Sequence, residues 1–189
     1  TFITARSYLN AIKNPDYLRY YYFSKLNDSM EDIDLNLEDF IVKVNSDLVG
    51  KFINIPSRTS GFIKKYFNNT LVSTNEISIH DAKVIVDDVI AIKDEVISLY
   101  EARLFSKLNR LLMSYTEKVN EYVNRLEPWV LAKNIDEHKS MSQLHQVCSA
   151  ALQAFRVISI YYSPIMPDLT HKIAEFYGCL LYTSDAADE

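Results

Sequence analysis

The stretch RLFSKLNRLLMSYTEKVNEYVNRL, residues 103–126, spaces Phe105, Leu108, Leu112, Tyr115, Val119 and Tyr122 by threes and fours. That is the period of an amphipathic helix with one apolar face turned to a core. The stretch holds neither Gly nor Pro, and Pro128 closes it. Upstream, Ala82, Ile85, Val89, Ile92, Val96 and Leu99 continue the period and predict a helix over 79–100. No breaker separates the two, so only weak local signals put the break near Glu101.

The same reasoning extends in both directions. Leu144, Cys148, Ala151, Phe155 and Ile158 predict a helix over 143–162, broken by Pro164 and Pro167, and Leu169, Ile173 and Phe176 mark a short last one. Phe40, Val44, Leu48, Phe52 and Ile55 predict a helix starting near Leu37, with Asn36 as cap and Glu38 and Asp39 favourable to its dipole. Pro56 has no N–H for the carbonyl of Phe52, so a kink is expected there before the spacing resumes through Phe62 and Tyr66. At the start, Tyr8, Leu9 and Ile12 predict a short helix over 4–12, and Asn14-Pro15-Asp16 reads as a helix restart. Ile33-Asp34-Leu35-Asn36-Leu37 alternates apolar and polar, the one strand signal, with Ile33, Leu35 and Leu37 inward and Phe2-Ile3 as candidate partner. The expected fold is mainly α: an antiparallel helical bundle over 38–177, preceded by a small α/β piece over 1–37.

Composition bounds the function. Hydrophobic residues make up 48% and charged residues 24%, ordinary for a soluble domain, and 3 Gly and 5 Pro suit long helices. A net charge of -5 gives no support to generic phosphate binding, so any RNA contact must be local, through stacking and hydrogen bonds. Cys148 and Cys179 make no disulfide framework, and reduced thiols in a cytoplasmic protein are the simpler reading. No apolar run reaches the roughly 18–20 residues of a membrane span. The first residues are not a signal peptide, and without an initiator Met the chain is expected to begin mid-protein. His145 and Cys148 are i and i+3 but supply only two ligands, where a structural zinc wants about four. His80, His138 and His171 read as surface histidines. No Gly-rich phosphate loop or nucleophile elbow is present, so no metal site and no catalytic residue is assigned.

Three stretches carry a family resemblance: LRYYY at 18–22 with DIDLNLEDF at 32–40, NIPSR at 54–58, and EPWVLAK at 127–133. In that order and spacing they resemble methionine–tRNA ligases, over about residues 1–177. The resemblance implies that 1–37 is the family's stem-contact fold and 38–177 its anticodon-binding bundle, of the class I type. It implies a parent enzyme whose catalytic domain, joined in cis, uses ATP and carries a zinc-bearing insertion. This chain would lack that domain, hold no cofactor and be inactive alone. Its implied partner is methionine tRNA, through the CAU anticodon loop.

The residues at those motifs have their own chemistry. Asn54 and Arg58, i and i+4, share a helix face. Asn donates to and accepts from a base edge, and Arg forks or stacks, which suits splayed loop bases. From the residues alone a solvated polar face is the better reading; the resemblance carries anticodon contact onto both. Trp129, the one tryptophan, follows Pro128, which fixes the chain direction at a helix junction. Alone it reads as a plug at the end of a core. The resemblance assigns Pro128-Trp129 to the first anticodon base. Lys133 and Lys51 are RNA-backbone candidates for which a solvated lysine is an equal reading. Gly50 stands where some relatives have Asn, so a contact from that side chain is expected to be lost, and Pro56 stands where many have Ala, so a kink there is expected to re-aim Arg58 relative to Asn54. Residues 178–189 resemble a translated sequencing-adapter read-through and are expected to be disordered. Two rivals remain: the anticodon domain of a related class I ligase (for Leu, Ile, Val or Cys), and a helical protein-interaction module, which the acidic charge favours slightly.

Overall fold

The structure, a computed structural model, describes residues 4–29, 33, 35–134 and 138–178. Ten α-helices occur among the described residues: α1 (Ala5–Ala11), α2 (Asp16–Lys25), α3 (Leu37–Lys43), α4 (Asn54–Tyr66), α5 (His80–Ala91), α6 (Lys93–Glu101), α7 (Phe105–Leu126), α8 (Pro128–Leu131), α9 (His138–Tyr162) and α10 (Pro167–Phe176). A π-helical segment, Val44–Phe52, joins α3 to α4.

α9 is the central post. Its Ala150, Ala151 and Ala154 are fully buried, and these small side chains let neighbours approach closely. α4, α5 and α7 all pack on it. Leu108, Leu112, Val119 and Val123 of α7 meet Val147, Phe155 and Ile158 of α9 in one core. Each such fully buried side chain contributes roughly 1.5–3 kcal/mol. Helices run up and down in turn, so α4 and α7 come out parallel to each other and antiparallel to α9.

The helix expected over 79–100 is two, meeting at Ile92 with φ -79 and ψ 2. Nothing local breaks it. α5 packs on α9 and α6 on α7, and following both partners bends the axis. The break near Glu101 is present: Arg103 is left-handed, at φ 57. The helix expected from Gln143 starts at His138.

Pro56 does not kink a continuous α-helix. Hydrogen bonding widens over Val44–Phe52, with Ile53 N–H reaching Leu48 O at 2.8 Å. α4 then starts afresh, leaving Pro56 in its first turn, where a missing N–H is tolerated. In the widened turn a Cβ at Gly50 would meet Asn45 O at 3.3 Å, closer than ordinary van der Waals contact.

No strand occurs among the described residues; Phe2, Ile3 and Asp34 lie outside them. The Asn36 side chain accepts from Glu38 and Asp39 N–H at 2.9 and 3.1 Å. This capping starts α3 where the alternation suggested a strand end. Leu37 is 51% exposed instead of inward, while Leu35 packs on Tyr8, Tyr21 and Phe40. The described part of the N-terminal piece is therefore helical. Its restart is as expected, with Asp16 N–H donating to Asn14 Oδ1 at 2.9 Å.

α2 is clamped to the other end of the chain. Asp16, fully buried, accepts from Leu169 N–H at 2.7 Å, and Arg19 donates to the carbonyls of Ile165 and Pro164, each at 2.7 Å. One residue on, the Tyr20 hydroxyl donates to Asp47 at 2.7 Å, and Tyr162 donates to Asn109 at 2.9 Å beside it. Burial raises the Asp47 pKa, but the Tyr20 hydroxyl and Lys43 more than offset it, holding the carboxyl below its ordinary 3.8. A depressed folded-state pKa contributes stability above the unfolded value that is lost as pH falls through the folded one. The stability difference between wild type and Asp47→Asn is thus expected to be full at pH 7 and to shrink below about pH 3.8. Urea midpoints of both proteins across that range check it; a difference independent of pH would refute it.

Candidate nucleic-acid interface

Because α4 and α7 run parallel, their facing side chains meet in constant register. Lys51 Nζ meets Glu117 at 2.6 Å, Asn54 Nδ2 donates to Asn120 Oδ1 at 3.1 Å, and Arg58 donates to Asn124 Oδ1 at 2.6 Å. Lys51, Asn54 and Arg58 are spaced by three and four, and so are Glu117, Asn120 and Asn124. Asn120 is itself pinned, its Nδ2 donating to Lys51 O at 2.9 Å and Thr116 O at 3.0 Å. Asn54 is thereby held with one donor spent, and its side-chain oxygen has no partner among the described residues. Glu117, Asn120 and Asn124 escaped the sequence reading. The only signal was that matching spacing, on the polar flank of the α7 apolar stripe.

The ladder ends at Trp129. α7 stops at Leu126, Glu127 turns left-handed at φ 44, and Pro128 takes the first position of α8. Proline is suited there because its fixed φ is already helical and its missing N–H would have no partner. Pro128 is buried, and Trp129 is half-buried with part of its ring against the core. The Arg58 guanidinium lies over the indole, 4.9 Å from its centroid. Such a contact contributes about 0.5–2 kcal/mol. The structure thus brings Asn54, Arg58, Pro128 and Trp129 together.

The two lysines fare differently. Lys51 is held by Glu117 and, at 3.8 Å, by Asp47, and the hydrogen bond to Glu117 chiefly raises its pKa. A phosphate would have to displace the 2.6 Å pair with Glu117. Lys133 is exposed in the 3-10 turn Ala132–Asn134, with no hydrogen bond or ion pair to the ladder.

The His145 ring stacks on Phe67 at 4.0 Å, and its Nε2 lies 2.8 Å from Thr70 O. Cys148 is fully buried, and burial pushes its thiol up to about 12. Among the described residues no group of three or more His, Cys, Asp or Glu is placed to hold a metal ion, and no helix is long and apolar enough to cross a membrane.

Residues 1–60 match the family model described as tRNA synthetases class I (M). The methionine–tRNA ligase of Nitrosospira multiformis is 44% identical over 188 residues, 94% of this chain and 25% of the relative. That of Thiobacillus denitrificans is 46% identical over 177 residues, 93% of this chain and 24% of the relative. The chain belongs to the methionine–tRNA ligase family and spans about a quarter of the length of these relatives. Mycobacterium tuberculosis methionyl-tRNA synthetase in complex with methionyl-adenylate shares the fold, with a TM-score of 0.84 at 15% identity, over 95% of this chain and 34% of that one.

Proposed function

We propose that this chain reads the CAU anticodon loop of methionine tRNA for a parent enzyme that joins methionine to that tRNA with ATP. The observation that carries the reading is the held junction of Arg58 and Trp129, 4.9 Å apart, at the end of a ladder that also fixes Asn54. A half-buried indole beside a guanidinium suits a base stacked out of an unpaired loop. Asn54, with a side-chain oxygen to spare, suits a base edge. Methionine activation, ATP and any zinc belong in this reading to the parent's catalytic domain in cis, and the chain alone is inactive in aminoacylation. Stem contact by residues 1–37 and anticodon contact by 38–177 are part of the same proposal.

The test is binding of the chain to a CAU stem-loop and to loops altered in the anticodon, by fluorescence anisotropy. Equal affinity for all of them would end this reading. Asn120 supplies a second test. Asn120→Ala removes the acceptor that holds Asn54, and a typical hydrogen bond is worth about 1 kcal/mol. Preference for CAU is expected to fall roughly fivefold, with non-cognate affinity unchanged. A uniform loss across all loops would assign Asn120 to stability instead.

A further inference from the structure

A groove of about 530 Å³ runs between α4, the turn at 68–71, α9 and the end of α10. Lys64 and Arg156 line it, no carboxylate among the described residues does, and the chain as a whole is acidic at -5. Both side chains are exposed and without an ion-pair partner among the described residues. Gln153 lines the groove too. It is only 9% exposed, and its Oε1 is buried with no hydrogen-bond partner among the described residues. A buried acceptor left unpaired lowers stability and calls for an explanation. The flat torsion of a terminal amide lets this oxygen turn towards the groove.

Gly61 is the second observation. It sits inside α4, where glycine is the poorest choice after proline. A Cβ there would meet nothing within 4 Å, so neither packing nor backbone geometry asks for glycine. What it supplies is room at the groove wall. Arg58, Gly61 and Lys64 lie on one i+3 row of α4, and Lys64 is about 9 Å further along the axis than Arg58. A strand leaving Trp129 and Arg58 along that row crosses Gly61 and arrives between Lys64 and Arg156.

The geometry points to a second RNA site in this groove, for the sugar–phosphate backbone next to the anticodon bases. Lys64 and Arg156 hold phosphate oxygens, the Gln153 oxygen accepts a ribose 2′-hydroxyl, and Gly61 leaves the path open. The site rests on the proposed reading of an anticodon loop and extends it.

The 189-residue chain is titrated with the CAU stem-loop, with an altered loop, and with a CAU stem-loop carrying 2′-deoxy nucleotides beside the anticodon. Lys64→Ala and Arg156→Ala are each expected to weaken both ribose loops by the same factor. Each should also reduce the slope of log affinity against log salt by about 1. Gly61→Leu, which favours the helix, is expected to weaken binding with no drop in melting temperature. Gln153→Met is expected to remove the preference for ribose over deoxyribose. Unchanged salt slopes in both cation variants, with Trp129→Ala still costing CAU preference, would overturn the groove and leave the anticodon reading standing. Uniform loss in the cation variants, with Trp129→Ala neutral, would keep the groove and overturn the anticodon reading. No binding of any loop by the wild-type chain would overturn both.

Discussion

Trp129→Ala is expected to remove the preference for a CAU loop over one altered at the first base. Base–aromatic stacking is worth about 1–3 kcal/mol, so affinity for the cognate loop should fall roughly 5- to 150-fold. Affinity for the altered loop should change far less. The indole is only partly in the core, and α8 is anchored separately by buried Pro128, so the fold should survive. Trp129→Phe keeps a ring beside Arg58 and should retain part of the preference. Anisotropy titrations with both loops, next to a melting curve for each variant, decide the matter. A cognate-to-altered ratio equal to that of wild type would dispose of the stacking role.

Phe52→Ala is the largest expected loss of stability. Phe52 is fully buried in the π segment, its ring 4.8 Å from Phe155 and 5.5 Å from Tyr162. Truncating such a ring costs about 3–5 kcal/mol, because the cavity left behind relaxes only in part. For a domain of this size, with a shift of roughly 2–4 °C per kcal/mol, melting should fall on the order of 10 °C. The site should suffer as well, since Phe52 lies between Lys51 and Asn54 and seats that part of the ladder against α9. Thermal unfolding of the variant tests this, and a midpoint within about 2 °C of wild type would contradict it.

These two residues also mark what the sequence discloses. Phe52 and the stripes of α7 and α9 were legible because burial of one helix face imposes its period on the residues themselves. The capping at Asn36 and the restart at Asn14 were legible because their chemistry is local. Ile92 was not, since its bend answers to two different partner helices. Leu37 was misread because period-2 alternation over five residues is a short signal, and one capping side chain overrides it. Asn54, Arg58 and Trp129 stood out only through the family resemblance; their own chemistry fitted a solvated face and a core plug better. Their partners Asn120 and Asn124 were hidden for another reason. A register between two helices 66 positions apart belongs to the packing, and neither helix states it alone. Gly61 and Gln153 were silent for the same cause, each lining a groove walled by other elements.

The clamp of Asp16 and Arg19 onto Leu169, Ile165 and Pro164 has an entropic side. It joins positions about 150 residues apart, so nearly the whole described chain is the loop that it closes. The entropy of closing a loop grows with the logarithm of its length, about (3/2)RT ln n, and most of that cost is gone once the docked bundle has brought the ends near. Contacts of such long span are rewarded late in folding, after the helices between them have docked. The clamp therefore acts as a latch on an assembled bundle, set last and released first, and it sits at the opposite end of α9 from the short helix that carries Trp129.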